Sequence, residues 1–164
     1  MTERRAGRGV RKLVSGGQTG ADRAALDWAL DHGFACGGWC PRGRAAEDGP
    51  LDGRYPLAET PSVDYRQRTD WNVRDSDATV IFSLSKLLSG GSRETRDCAR
   101  RRRKPCLHLH PHVDAPGLLR AFLDAHRPKV LNIAGPRASK EPQVGAFVRE
   151  VLDRVLAFQC EARR

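Results

Sequence analysis

Three glycine-rich turns carry the residue types that bind anions. The first matches the spacing of a dinucleotide-binding turn, except that a serine stands in place of the first glycine. Backbone N–H groups in such a turn, together with the positive end of the following helix, bind phosphate or other oxyanions. The turns are Ser15-Gly16-Gly17-Gln18-Thr19-Gly20, Gly90-Gly91-Ser92 with Thr95, and Gly135-Pro136-Arg137 with Ser139.

The residues around the first turn exclude two common nucleotide sites. No lysine follows Gly20, so the turn is not a Walker A loop. A nicotinamide-binding domain usually has Asp or Glu after its second strand, where this chain has Pro41-Arg42-Gly43-Arg44. Arginine there favours a different phosphate or oxyanion, through bidentate contacts. The pattern therefore predicts an anion-binding site and disfavours a standard NAD dehydrogenase.

Other reactive side chains have no partner that the sequence identifies. His108, His110 and His112 alternate and could share a strand face, but no acidic residue or cysteine is placed beside them. We therefore predict no metal site and no catalytic residue. Four carboxylates are candidate general acids or bases, and each is equally expected as a helix cap or a surface charge. They are Asp22, Glu47, Asp48 and Glu94.

The elements that position these turns follow a repeated order of short apolar run, glycine turn and helical stretch. This order is typical of βα units and a parallel sheet, in which the carboxyl ends of the strands meet at one edge. We predict an α/β fold, a Rossmann-like three-layer domain with a mainly parallel sheet flanked by helices. The predicted strands are 10–14, 34–39, 78–82, 106–110 and 129–134. The predicted helices are 21–32, 65–74, one from Gly90 to the basic run 100–104, one capped by Asp114, and one from about 144.

Length and composition fit one folded domain. The chain has 164 residues, of which 39% are hydrophobic and 30% are charged. Residues 1–9 are expected to form a basic, flexible tail, and residues 10–164 a single domain. The segment 40–61 is predicted to be a long loop that is functional or mobile.

Charge and cysteine content indicate the class of partner and the compartment. The formal charge of +9 attracts anions without identifying them. The basic run 100–104 is expected at a helix C-terminus, and the absence of interleaved aromatic residues disfavours nucleic acid. No apolar stretch approaches the roughly 20 residues that cross a bilayer. Five scattered cysteines favour reduced thiols in a cytoplasmic protein, with Cys36 and Cys40 on one strand roughly 13 Å apart.

The sequence resembles the molybdenum cofactor carrier family over roughly residues 12–157. Several motifs match in order, which is more specific than one glycine motif. The blocks are Ser15 to Asp27, Gly38-Trp39-Cys40-Pro41-Arg42-Gly43-Arg44, Glu47-Asp48-Gly49, Tyr55-Pro56-Leu57, Glu59-Thr60, Arg68-Thr69, Trp71-Asn72-Val73, Asp75-Ser76-Asp77, Gly90-Gly91-Ser92, and Asn132 with Gly135-Pro136-Arg137.

The resemblance implies a fold, a ligand and partners. The family is similar to a Rossmann-like superfamily that includes nucleotide-binding proteins and cytokinin-activating phosphoribohydrolases. The implied ligand is molybdenum cofactor (molybdopterin), or a related oxyanion such as molybdate or a nucleotide, that is protected and delivered. A homo-oligomer, dimer or tetramer, and a molybdoenzyme acceptor are also implied, without a membrane.

The resemblance also implies which residues surround the ligand. Arg93-Glu94 departs from the small or apolar residues expected before Thr95. The implied contacts are Gly16, Gly17, Gln18, Thr19, Gly20 and Arg23 in the first segment, Arg42 and Asp48 in the second, Gly90, Gly91, Ser92 and Thr95 in the third, and Asn132, Gly135 and Arg137 in the fourth.

Two other functions remain open from the sequence. A phosphoribohydrolase that cleaves nucleoside monophosphates would use an acidic residue on the helix after the Gly-Gly turn, and Glu94 or Asp97 could serve. Ser89 and Arg93, however, stand where that enzyme class has proline and glycine. A nucleotide sensor would bind AMP or ADP-ribose without turnover.

Overall fold

A five-stranded parallel sheet forms the centre of the protein. The computed structural model describes residues 9–161; residues 1–8 of the predicted tail and residues 162–164 lie outside them, as do the side chains of Cys160 and Glu161. The strands are β1 Lys12–Val14, β2 Ala35–Gly37, β3 Trp39–Cys40, β4 Ala58–Glu59, β5 Ala78–Phe82, β6 Cys106–Leu109 and β7 Val130–Ala134. The helices are α1 Ala21–Asp31, α2 Tyr65–Arg74, α3 Gly90–Arg101, α4 Ala115–His126 and α5 Val144–Glu161.

The strand order places the last strand near the middle of the sheet. The order is β2-β1-β7-β5-β6, and every neighbouring pair is parallel. If β7 is counted first, the order becomes 3-2-1-4-5, as in the doubly wound nucleotide-binding fold. The point at which the chain reverses direction across the sheet, where such folds bind ligands, therefore lies between β7 and β5.

Two helix layers bury the sheet and confirm the predicted three-layer α/β fold. Helices α1 and α4 each pack against α5, while α2 packs against α3. The core joins strand residues such as Leu13 and Ile133 to helix residues such as Trp28 and Leu152, all at most 1% exposed. Each such side chain contributes roughly 1.5–3 kcal/mol by leaving water. Ahead of β1, Gly9 lies so close to α5 that a Cβ would be 2.6 Å from Oε1 of Gln159.

The predicted second strand, 34–39, is wrong in its extent. The strand ends at Gly37, because Gly38 has φ +126° and a side chain there would meet the Ser15 carbonyl. The chain then turns into β3, which pairs in parallel with β4 in a separate two-stranded sheet. Cys36 and Cys40 consequently lie in different sheets; Cys40 is fully buried and Cys36 is half-buried.

The segment 40–61 is ordered around a second hydrophobic core. Leu51, Tyr55 and Leu57 are buried there with Cys40. The guanidinium of Arg44 donates hydrogen bonds to the carbonyls of residues 51, 52, 55 and 57, at 2.8 to 3.3 Å. Arg44 therefore holds the loop together and is not available for an anion.

The basic run lies at the C-terminus of α3, as expected. Arg102 pairs with Asp70 at 2.6 Å, which connects α3 to α2. Lys104 donates to carbonyls at the end of α2, those of Val73, Arg74 and Ser76. Because these cations meet carbonyl and carboxylate oxygens of the protein, this part of the run stabilises helix packing.

The helices and the cysteines bear on two further expectations from the sequence, that no segment crosses a membrane and that the thiols are free. Among the helices described, none is both long and apolar enough to cross a membrane. Cys36, Cys40, Cys98 and Cys106 are free thiols. Burial raises the pKa of the Cys106 thiol to about 11, so this thiol stays protonated and unreactive at neutral pH.

The contact between the first turn and the segment after β7 can be tested with two glycines that have nearly the same φ. Gly20 has φ +81° and Gly43 has φ +82°, but a Cβ at Gly20 would lie 2.3 Å from the Pro136 carbonyl oxygen, whereas one at Gly43 meets nothing within 4 Å. We expect Gly43→Ala to lower the free energy of unfolding by about 1–2 kcal/mol through backbone strain alone. Gly20→Ala should lower the free energy of unfolding, measured with urea, several times more than Gly43→Ala does. Equal losses in the two variants would contradict the close contact.

Candidate functional site

A cavity of about 340 Å³ opens at the carboxyl end of the sheet, where the chain direction reverses between β7 and β5. The three glycine turns of the sequence meet there, because each follows a parallel strand. Helix α2 provides a further wall. The lining residues are Gln18, Asp22, Tyr65, Arg68, Thr69, Ser89, Gly90, Gly91, Ser92, Thr95, Ala134, Gly135, Pro136, Arg137 and Lys140.

The glycines of the first turn serve close packing within the protein. A Cβ on Gly16 would lie 1.5 Å from Nη1 of Arg68, so this glycine makes room for the guanidinium. A Cβ on Gly17 would meet Leu51 and Leu57 of the second core at 2.7 Å. From this turn only Gln18 lines the cavity, while Gly16 lines a small recess beside it.

The two helix N-termini near the cavity differ in what they can offer an anion. At α1 the N–H of Ala21 already donates to the Pro136 carbonyl, and the N–H of Ala138 donates to the Thr19 hydroxyl. At α3 the N-cap Ser89 makes no capping hydrogen bond, and Gly90 to Ser92 line the cavity. The amino end of α3 is therefore better placed than that of α1 to accept an anion, since its first three residues line the cavity and no side chain caps it.

A buried ion pair forms the floor of the cavity. Asp22 is 3% exposed, and its Oδ2 accepts a hydrogen bond of 2.9 Å from Nη1 of Arg68. Burial raises the pKa of Asp22, while Arg68 and the backbone N–H of Gln18 oppose the shift. Arg68 neutralises the carboxylate, so Asp22 does not make the cavity repel anions.

Two buried donors of this floor have no acceptor among the described residues. They are Nε of Arg68 and Nε2 of Gln18. The Gln18 amide is oriented because its Oε1 accepts from the backbone N–H groups of Thr19 and Glu47, at 3.1 and 2.9 Å. Buried donors are normally satisfied, so each of these needs an oxygen from a ligand or a bound water.

Two cations and an aromatic ring lie at the rim of the cavity. Nζ of Lys140 donates to the Ser89 hydroxyl at 3.0 Å, which links the turn after β7 to the start of α3. The Tyr65 ring centroid lies within 6 Å of two guanidinium groups, 5.5 Å from Arg68 and 5.7 Å from Arg137. The rim therefore combines positive charge with a flat aromatic surface.

Glu47 connects the 40–61 loop to the turn after β7. Its carboxylate accepts hydrogen bonds from the Thr19 hydroxyl and from the backbone N–H and hydroxyl of Ser139, the last two at 3.1 and 2.5 Å. These bonds hold the pKa of Glu47 below its usual value, Ser139 having the largest effect. Glu47 thus stays ionised and fixes the turn that carries Arg137.

Arg23, Asp48 and Arg42 lie outside the cavity lining. Arg23 donates two hydrogen bonds to Asp48, at 2.9 and 3.0 Å, and one from Nε to the Gly17 carbonyl. The pair ties the 40–61 loop to the first turn. Arg42 is exposed, and its backbone N–H donates to the Ser62 carbonyl. The ligand contacts that the resemblance implies for these three residues stay predictions.

Asn132 and Thr95 line the recess beside the cavity. Thr95 reaches both spaces, and its hydroxyl donates to the Gly91 carbonyl at 2.9 Å. Asn132 lies 3.2 Å from the Thr79 hydroxyl and is 2% exposed. The recess of about 20 Å³ is large enough for about one water molecule.

The alternating histidines lie together but away from the cavity. Their ring centroids are 5.3 Å apart for His108 and His110 and 5.6 Å apart for His110 and His112. His108 lies 2.6 Å from the Ser83 hydroxyl, and burial lowers the pKa of His108. Within the described residues, no group of three His, Cys, Asp or Glu side chains has an arrangement that could hold a metal ion.

The sequence did not single out several lining residues. Tyr65, Arg68 and Thr69 come from α2, a helix that follows no glycine turn, and Ser89 and Lys140 sit one or a few residues outside the predicted turns. Arg68-Thr69 was one of the blocks that carry the family resemblance, and this was a sign that α2 contributes to the site. No local pattern pointed to Lys140.

The family of the chain follows from a match over most of its length. Residues 13–156 match the model of the circularly permutated YpsA SLOG family, cpYpsA. The chain belongs to the cpYpsA family. A circular permutation agrees with the sheet, in which the last strand, β7, takes the position of the usual first strand.

One solved structure resembles this cpYpsA member closely. It is the crystal structure, at 1.45 Å resolution, of a "putative molybdenum carrier protein" from Syntrophus aciditrophicus SB. The two structures agree with a TM-score of 0.88, and the sequences are 44% identical over 91% of this chain and 96% of the other. Together with the cpYpsA match, this similarity confirms the family indicated by the sequence motifs. No protein of curated function matches the chain.

The buried pair predicts a pH-dependent loss of stability. Arg68→Met leaves the Asp22 carboxylate buried without its cation, which should lower the free energy of unfolding by about 3–5 kcal/mol at pH 7. Without Arg68 the already raised pKa of Asp22 rises further. A carboxyl group whose pKa is raised by folding destabilises the protein when it is ionised. This cost disappears as the pH falls through the raised pKa, so the loss of unfolding free energy should shrink towards pH 4.

Urea unfolding of wild type and Arg68→Met at pH 7 and pH 4 measures this effect. The matched control is Arg102→Met, whose partner Asp70 is partly exposed, with an expected loss under about 1 kcal/mol. The double variant Asp22→Leu with Arg68→Met should recover much of the stability. An equal loss at both pH values would contradict the role given to burial.

Proposed function

We propose that this protein binds and carries a small ligand bearing a phosphate or another oxyanion, and that the ligand is molybdenum cofactor (molybdopterin). The observation that carries the proposal is the cavity at the strand reversal, where the amino end of α3, the unpaired Nε–H of Arg68 and the cations Arg137 and Lys140 surround one space. The solved protein with 44% identity, named as a putative molybdenum carrier, supports the choice of ligand.

The charges of the cavity favour an anion. Its carboxylate, Asp22, is paired with Arg68, while Lys140 has only a hydroxyl partner among the described residues. A helix N-terminus stabilises a nearby anion by roughly 0.3–2 kcal/mol. Each hydrogen bond to a charged group adds about 1.5–3 kcal/mol. If several such contacts meet one phosphate, most of the affinity of the protein for its ligand comes from a few side chains.

The rim supports a ligand with a flat ring beside its anionic group. The cavity volume of about 340 Å³ is near the lower limit for small-molecule sites, which span roughly 300–1,000 Å³. Tyr65 stands at the rim, where a planar ring such as a pterin could stack on it. A pterin with a phosphate at the α3 terminus fits both features.

The positions of the carboxylates disfavour the hydrolase alternative. Cleavage of an N-glycosidic bond needs a carboxylate within hydrogen-bond reach of the ligand. Glu94 is bonded to Arg101 at 2.9 Å, and Asp97 is bonded to Arg96 at 3.1 Å; neither lines the cavity. The remaining carboxylate, Asp22, is held by Arg68. Binding and release of an intact ligand therefore suits the geometry better than hydrolysis.

Calorimetric titration with intact molybdenum cofactor, molybdate and AMP separates the functions. The carrier proposal expects the cofactor to bind more tightly than AMP, with no adenine released when AMP is incubated with the protein. Preference for AMP without turnover would replace the carrier with a nucleotide sensor, and repeated release of adenine would replace it with a phosphoribohydrolase. Homo-oligomer formation, a molybdoenzyme acceptor and a cytoplasmic location stay predictions of the sequence.

The rim cations give a direct test of the binding mode. We expect Arg137→Ala with Lys140→Ala to weaken cofactor binding by at least about tenfold, since each lost charge-assisted bond is worth about 1.5–3 kcal/mol. The control is Arg154→Ala, which removes an exposed i,i+4 pair with Glu150 on α5. Unchanged affinity in the double variant, measured by calorimetry on folded protein, would place the anion elsewhere.

A further inference from the structure

A second cavity of about 320 Å³, nearly as large as the first, lies beside β1. It shares no lining residue with the first cavity. Three of its lining residues are polar and the others are apolar or glycine, so it is a mainly apolar space with a few polar groups, as small-molecule sites are. The lining residues are Lys12, Val14, Gly38, Trp39, Pro56, Ala58, Asn72, Asp75 and Val130.

The aromatic wall of this second cavity is fixed by contacts with three residues. The indole Nε1–H of Trp39 donates to Oδ2 of Asp75 at 2.7 Å, and the Trp39 backbone exchanges two hydrogen bonds with the Asn72 amide, at 2.8 and 2.9 Å. The Trp71 ring packs edge-on at 4.7 Å. A tryptophan held in this way loses little further freedom when a ring stacks on it.

The charge that remains available in the second cavity is positive. Both oxygens of Asp75 accept from Arg74, at 2.8 and 3.0 Å, and these bonds, with that from Trp39, lower the pKa of Asp75 to about 2. The carboxylate is therefore ionised but neutralised by Arg74. Lys12 lies along Gly37 of β2, and no carboxylate of the described residues is within salt-bridge distance of its ammonium group.

We propose that the second cavity binds a planar aromatic monoanion, such as an aromatic carboxylate, with the ring against Trp39 and Pro56 and the anionic group at Lys12. The site is separate from the oxyanion cavity and does not depend on the function proposed for it. Asp75 and Asn72 act as positioning residues, because they hold the indole and do not meet the anion.

Titration with 1-naphthoate, followed by ¹⁵N–¹H spectra of the tryptophan indoles, tests this site. The Trp39 signal is assigned with Trp39→Phe, and its shift should approach a limit as naphthoate is added. The signal of Trp28, which is 1% exposed and bonded to Asp153, should not move. The neutral 1-naphthamide and Lys12→Met should each weaken binding about fivefold, the effect of one charge contact near 4 Å in water. Ala58→Trp should fill the space and abolish the shift.

Arg137→Ala is the control that locates the probe. It should leave the Trp39 shift unchanged, because Arg137 lines only the first cavity. The proposal is overturned if the Trp39 signal does not move at millimolar naphthoate. It is also overturned if the amide binds as well as the carboxylate, or if Arg137→Ala removes the shift.

Discussion

The buried ion pair between Asp22 and Arg68 is the interaction on which the candidate site depends. It joins the start of α1 to the middle of α2, and it requires Gly16 because a side chain there would occupy the place of the guanidinium. The first glycine turn, α2 and the cavity floor are therefore one structural unit. The first turn has the spacing of a phosphate loop, but protein groups fill the space beside its glycines. The anion site that we propose therefore lies at α3 and the turn after β7.

The sequence predicted most of the elements and the edge at which the turns meet. Five strands and five helices were expected. Apart from the second strand, the bounds that the sequence predicted agree within about two residues, because apolar periodicity and glycine turns are local signals. The short strands β3 and β4 were not predicted. The common edge followed from parallel pairing alone. The strand order was not predictable, since β7 pairs with β1 across more than a hundred residues that carry no local signature of this pairing.

Side-chain contacts between distant segments account for what the sequence missed in the site. Arg68 meets Asp22 across 46 residues, and Lys140 meets Ser89 across 51 residues. Arg44 and Arg42 are two residues apart and looked alike in the sequence, yet Arg44 binds loop carbonyls while Arg42 is exposed. The break at Gly38 likewise depends on the Ser15 carbonyl and the Asn72 side chain. Each outcome was decided by tertiary packing.

Because Gly9 lies close to Gln159 on α5, the two ends of the fold could be joined and the chain opened at another loop. Since the backbone before β1 lies beside the last helix, a short peptide bridge would link them without disturbing the core. New termini could then open between α4 and β7, where Arg127 already adopts a left-handed turn. The rejoined polypeptide would run in the unpermuted order of the doubly wound fold with the same floor and rim, so the order in which a gene encodes this site is separable from the site itself.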